Sequence, residues 1–116
     1  MNGAAGEDLA VRFLKKRRFR ILERNFHSRF GEIDIIAQDG PYIVFAEVKA
    51  RAANAAAGPL DAVTHAKQRK IVRTAQYYLQ THGTDLQPRF DVAAIVEGPG
   101  GPSVEYLENA FDGGGL

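Results

Sequence analysis

Three residues on one short stretch have the types and the spacing to do chemistry. Asp34, Glu47 and Lys49 lie in Gly31–Lys49, GEIDIIAQDGPYIVFAEVK, which reads as two apolar strands joined by a turn around Asp39-Gly40-Pro41. Ile33, Ile35, Ile36, Ile43, Val44, Phe45 and Val48 make the segment too apolar for a solvated ribbon, yet acids interrupt both strands. Glu47 and Lys49 are two apart, so on a strand their side chains share a face. Pro41 has no N–H to give to a ladder, which puts Asp39–Tyr42 in the turn. Gln38 then faces Ile43, and Asp34 faces Glu47. A tighter Asp39-Gly40 turn would set Glu32 opposite Glu47, with Asp34 on the diagonal. In both registers the acids share one face with Cβ atoms about 5 Å apart, where like charges destabilise a sheet.

A hard divalent cation would neutralise such a pair, and oxygen ligands suit Mg²⁺ or Mn²⁺. The chemistry that uses this set is phosphodiester hydrolysis. Carboxylates hold the cation against a phosphate oxygen, the cation acidifies a water, and a lysine orients or deprotonates that water and adds positive charge. The carbonyl of Val48 is a further oxygen donor. The same residues also suit a plain salt bridge of Lys49 with Glu47 or Asp34, worth little where exposed. On the residues alone the two readings weigh equally.

The flanking elements must position this hairpin. Ala4 to Arg17 reads as a helix with an apolar stripe of Ala5, Leu9, Ala10, Phe13 and Leu14. Glu7 falls in its first turn, where an acid complements the helix dipole. Phe19–Phe26 reads as a strand packing through Phe19, Ile21, Leu22 and Phe26, ended by Asn25, His27, Ser28 and Arg29. After the hairpin, Arg51–Gly58 reads as a loop, either a rim over the site or a plain connector. Thr64 is the expected N-cap of a helix that stops at His82-Gly83 and buries Ile71, Ala75, Tyr78 and Leu79. Arg89–Val96 reads as a buried strand whose one acid, Asp91, is structural. Gly98–Pro102 is a turn, Ser103–Leu107 a short edge strand, and Asp112–Leu116 is expected to be disordered. The order is αβββαβ plus a final strand.

With 116 residues the chain is expected to form a single domain over its whole length. It has no cysteine, which excludes disulfides and thiolate metal sites and suits a cytoplasmic protein. No apolar run reaches the ~20 residues of a membrane helix, and no basic-then-apolar leader opens the chain. Net charge is only +1, but Lys15, Lys16, Arg17, Arg18, Arg20 and Arg24 cluster early, and Lys67, Arg69, Lys70 and Arg73 later. Such stripes suit phosphate contact as well as a solvated helix face. His27, His65 and His82 lack metal-ligand spacing, and GPGGP lacks the lysine and hydroxyl of a phosphate loop.

The run Glu7 … Gly31-Glu32-Ile33-Asp34 … Glu47-Val48-Lys49 resembles the PD-(D/E)XK nuclease superfamily, and more narrowly the small bacterial YraN-type family related to archaeal Holliday-junction resolvases. The likeness runs from Gly6 through Arg89–Val96 to Glu108-Asn109-Ala110-Phe111, and its specific parts are GEIDIIA and FAEVKAR. The superfamily's proline before the acid is absent from GEID. The resemblance implies an α/β fold with a restriction-endonuclease-like αβββαβ core, a mixed central sheet flanked by helices. It implies catalytic roles for Glu7, Asp34, Glu47 and Lys49, with Asp34, Glu47 and Glu7 as ligands of Mg²⁺ or Mn²⁺ and Glu32 as an extra ligand. Lys67 and Gln68 correspond to an auxiliary polar position, and with Lys70 and Arg73 form the expected nucleic-acid contact. The expectation is an endonuclease hydrolysing phosphodiester bonds in DNA, branched DNA included, working as a homodimer. Two alternatives stand beside it: a nucleic-acid-binding module of the same fold without turnover, and a scaffold that binds a partner.

Overall fold

The fold is built around two hydrophobic strands that pair because both are apolar on both faces. In the computed structural model, which describes residues 3–52 and 58–114, β2 (Gly31–Asp39) and β3 (Tyr42–Ala52) form an antiparallel hairpin. Gln38 faces Ile43 and Asp39 faces Tyr42, so of the two registers open to the sequence the first is the one formed, with Asp39 and Tyr42 in the strands and only Gly40-Pro41 in the turn. Gly40, at φ 56°, takes the left-handed position that the turn requires. Ahead of the hairpin lie α1 (Gly3–Lys16) and β1 (Arg20–Ser28). After it come a 3-10 turn (Pro59–Ala62), α2 (His65–His82), β4 (Gln87–Gly98) and β5 (Gly101–Phe111).

The strands form one sheet in the order β1-β2-β3-β4-β5. Every neighbouring pair is antiparallel except β3 and β4, which run parallel through Ala52↔Glu97 because α2 carries the chain back between them. This is an α/β architecture with a mixed sheet flanked by helices, compatible with a restriction-endonuclease-like core. Alternation along the strands divides the core in two. Ile35, Ala37, Val44, Ala46, Ala93 and Ile95 pack under α1, on Ala10, Val11 and Leu14. Ile33, Ile36, Ile43, Phe45, Phe90 and Val92 pack under α2, on Ile71, Ala75 and Tyr78.

Several expectations are corrected. The buried face of α1 is Gly6, Glu7, Ala10, Val11 and Leu14, with Ala5 exposed and Leu9 and Phe13 half-buried. Burying Val11 removes more apolar surface from water than burying Ala5 would. Helix α1 opens at Gly3 with no acid in its first turn, so Glu7 lies one turn further in and is not an end-cap for the dipole. A shift of pairing between Ile21 and Glu23 leaves Leu22 38% exposed rather than packed. Strand β1 runs through Asn25 to Ser28, and the turn falls at Arg29-Phe30, where the Phe30 N–H donates to Ser28 Oγ at 3.1 Å. Leu79 is half-buried, and Thr74 takes its place in the core with its hydroxyl donating to the Lys70 carbonyl at 2.8 Å. Strand β5 has 11 residues, far longer than Ser103–Leu107, because Val104 and Tyr106 pack against the α1-side core. The proposed rim at 51–58 lies, for its residues 53–57, outside the described residues, as do residues 115–116 of the expected disordered end.

The N-cap of α2 is as expected: Thr64 Oγ1 accepts from the Lys67 N–H at 3.1 Å. Thr64→Ala should lower stability by about 1 kcal/mol, read as a lower urea midpoint at unchanged slope.

Candidate active site

The site forms where β2 and β3 stop pairing. Their ladder ends at Ile35↔Ala46, and Asp34 then takes over as a side chain: its Oδ2 accepts the Val48 N–H at 2.8 Å. Alternation breaks at the same level. Ile33 packs under α2 and Ile35 under α1, although residues two apart should share a face. On β1 the break is at Asn25, at φ 54°, a conformation that asparagine tolerates better than most residues. On one side of it Arg24 reaches α1, and on the other Phe26 meets Tyr78 of α2. Gly31, at φ 146°, permits the next close approach, since a Cβ there would lie 3.2 Å from Thr74 Oγ1.

Asp34 and Glu47 converge. Asp34 neighbours Glu47 closely enough to favour the protonated form of the Glu47 carboxyl, through hydrogen bonding and negative charge. Glu47 is only 3% exposed. Burial, then the hydrogen bond and negative charge of Asp34, push its carboxyl up to about 8, opposed by the charges of Lys67 and Lys49. Lys67 reaches from the first turn of α2 to place Nζ 3.6 Å from Glu47 Oε2. Lys49 is half-buried one alternation along β3 from Glu47, on the α2 side of the sheet.

Glu7 sits elsewhere. Its Oε1 accepts from Asn25 Nδ2 at 2.9 Å and from Arg24 Nε and Nη2 at 3.3 and 3.2 Å, while Arg24 also holds Asp8 at 2.7 Å. Glu7 faces a cleft of about 570 Å³ on the α1 side, lined also by Arg24, Asn25, Glu32, Asp34 and Val48. Asp34, in the gap between the parting strands, is the acid that belongs to both that cleft and the pair with Glu47. Among the described residues no three His, Asp or Glu side chains come together to hold a metal ion, so the expected three-acid convergence is formed by two of its members. Glu32 is drawn off to His27 Nδ1 at 3.2 Å.

Of the expected auxiliary residues, Lys67 meets the acid pair, whereas Gln68 turns back and donates to the Val63 carbonyl at 3.1 Å. Lys70 and Arg73 are exposed further along α2. Asp91 is structural, as the sequence suggested. It is fully buried and accepts from Arg89, Tyr106 and the Asn109 N–H. Sequence reasoning missed the Arg24–Glu7–Asn25 arrangement. The one signal for it was an asparagine amid a strand pattern, a residue suited to a break.

A buried carboxyl of Glu47 beside a half-buried carboxyl of Asp34 is a donor set that fits a hard divalent ion. The raised pKa of Glu47 has a consequence for stability without metal. The folded-state pKa of Glu47 lies above its unfolded value, so the native chain binds more protons than the unfolded one between about 4.5 and about 8. Stability should therefore fall as pH rises through that window, by on the order of 5 kcal/mol at most. In a chelating buffer Glu47→Gln should flatten this slope, measured by urea titrations at pH 5 and pH 8.5. An equal slope in both proteins would show that Glu47 carries no raised pKa.

The model of uncharacterised protein family UPF0102 matches residues 6–95, from α1 into β4. Relatives match over nearly the whole chain. A UPF0102 protein of Persephonella marina is 44% identical over 97% of this chain and 94% of its own length. One from Geobacter sulfurreducens is 46% identical over 95% and 88%, and one from Rhodococcus jostii 44% over 94% of each. The matched span includes Glu7, Asp34, Glu47, Lys49 and Lys67. The chain belongs to the UPF0102 family, the family of the YraN type.

Proposed function

We propose that this protein is a cytoplasmic endonuclease that hydrolyses phosphodiester bonds in DNA with Mg²⁺ or Mn²⁺ as cofactor. The observation that carries the reading is the convergence of Asp34 and Glu47 at the point where β2 and β3 part, with Lys67 and Lys49 beside them. Asp34 and Glu47 are the residues that would hold the cation. Bound there, the cation would supply charge to a phosphate oxygen and acidity to a water. Asp34 is fixed by the Val48 N–H, so one donor is oriented in advance. Lys49, one alternation from Glu47, would orient the attacking water and add positive charge. Lys67 offsets the negative charge of the pair. Glu7, held by Arg24 and Asn25 above the same gap, is the acid available to complete the ligand set from α1.

The test is incubation with single-stranded, flap and junction DNA, with and without Mg²⁺ or Mn²⁺. Metal-dependent cleavage lost in Glu47→Ala supports the reading. No cleavage of any substrate, or cleavage that survives Glu47→Ala, overturns it. Binding without turnover is the second reading, favoured by the exposed cations of α2; it expects salt-sensitive binding that persists in Asp34→Asn and no cleavage. Two strands of a duplex need two sites, so the active form is proposed to be a homodimer, checked by sedimentation in the presence of DNA.

A further inference from the structure

Helix α2 carries basic residues and no acid of its own: its 18 residues include Lys67, Arg69, Lys70 and Arg73 and no aspartate or glutamate. Lys67, Lys70, Arg73 and Tyr77 recur every three or four residues and so share a helix face. That face spans about 15 Å at the helical rise. One end is at the acid pair, where Lys67 lies 3.6 Å from Glu47. The other end is at the β1–β2 turn, where Tyr77 lies 6.0 Å from the Phe30 ring. Two guanidinium groups, of Arg29 and Arg73, each stand 4.9 Å from the centre of that ring. Arg29, Lys70, Arg73 and Tyr77 are all exposed, with Tyr77 at 39%. The turn is pinned to the helix, since Gly31 packs on Thr74 and Lys70.

An acidic protein would satisfy the charge but has no use for rings interleaved with guanidinium planes. Nucleic acid with unpaired bases uses both: phosphates for the cations, and base faces for Tyr77 and the arginine planes. A duplex hides its base faces in its own stack. We propose that the Arg29-Phe30 turn and the Lys70–Tyr77 face of α2 form a platform on which unpaired, single-stranded DNA stacks, leading the strand toward the Asp34–Glu47 pair. The choice of DNA and the destination of the strand rest on the hydrolase reading above; the platform itself rests on the residues of α2 and the turn.

The test measures anisotropy of a labelled short oligo-dT strand in EDTA, where no turnover intervenes. The strand should bind about tenfold tighter than a blunt duplex of the same length. Arg29→Ala with Arg73→Ala should weaken binding about tenfold and flatten its salt dependence by about one to two counterions. Tyr77→Leu should weaken it about tenfold and abolish the quenching of a 2-aminopurine placed in the strand, and Tyr77→Phe should restore both. Thermal melts of each variant confirm folding, and exposed Tyr77 and Arg73 can be replaced without opening the core. Duplex bound as tightly as the single strand, or binding indifferent to these substitutions, would overturn the platform. An oligo-U strand bound tenfold tighter would overturn DNA as its occupant. Glu47→Gln separates the two readings: strand binding should be unchanged while cleavage is lost. Wild-type protein that binds the strand as described and cuts nothing with Mg²⁺ or Mn²⁺ leaves the platform standing and removes the hydrolase. Cleavage with binding indifferent to Tyr77 and Arg73 does the reverse.

Discussion

Replacing Glu47 by alanine is expected to remove metal-dependent cleavage by a factor of about 10²–10³ or more, the loss typical of removing one preorganised charge-stabilising group. It should do so without unfolding the chain. Glu47 is buried beside Asp34 with its pKa raised, so its carboxyl is a cost to the metal-free fold rather than a support. Cleavage and stability should therefore move in opposite directions. Glu47→Gln should melt at or above the wild-type temperature in EDTA at pH 8.5, while a rise in melting temperature on adding Mn²⁺ should be seen only in the wild type. That pattern is hard to obtain from a structural salt bridge. If Glu47 served only to anchor Lys67, its removal would lower the melting temperature and Mn²⁺ would act on both proteins alike. Lys49→Ala should lower cleavage but keep the Mn²⁺ shift, because it places the lysine at the water and not among the ligands.

The second large effect is on stability, at Asp91. This carboxylate is fully buried and accepts four hydrogen bonds: from Arg89 Nε at 3.0 Å and Nη2 at 2.9 Å, Tyr106 Oη at 2.6 Å and the Asn109 N–H at 2.9 Å. The Asn109 amide is left free by a bulge, where the pairing of β4 and β5 shifts between Phe90 and Val92 and Asn109 adopts φ 51°. Arg89 in turn reaches Asp39 of β2 at 2.9 Å and packs over Tyr42 at 4.9 Å. Burial works against its charge, but Asp91 and Asp39 outweigh that and raise its pKa. Burial and Asp91 likewise raise that of Tyr106, so its hydroxyl stays a donor. Asp91→Ala should cost about 3–5 kcal/mol, because it strands a buried guanidinium, a phenol and an amide together. A typical domain has only about 5–15 kcal/mol in total. Urea unfolding at pH 7 measures it, and Arg89→Met with Asp91→Leu should recover part of the loss by removing the unpaired charge. A cost under 1 kcal/mol for Asp91→Ala would show that the network is not a support of the fold.

What could be read from the residues was whatever local rules constrain. Pro41 cannot join a ladder, and that narrowed the hairpin to two registers, of which Gln38 against Ile43 is one. Thr64 and Gly83 bound α2 because a free N–H needs the threonine oxygen and the Gly83 N–H closes the last turn on Leu79. Period two put Lys49 on the face of Glu47. Each of these depends on neighbours within a few residues, so the chain alone settles it.

The rest was decided by contacts between segments far apart in sequence. The inward turn of Glu7 follows from packing Val11 and Leu14, and only β1 folding under α1 hands it to Arg24 and Asn25. The break at Asn25 and Asp34 spans two strands, and neither strand's alternation announces it. Lys67 meets Glu47 because α2 crosses back over the sheet, a distance of twenty residues that no spacing rule covers. The sequence by itself therefore determined the elements, the two registers open to the hairpin and the residue types able to hold a cation. Tertiary structure alone decided which of those acids converge and which is held apart, since a carboxyl's partners and its access to water are set by everything that packs around it.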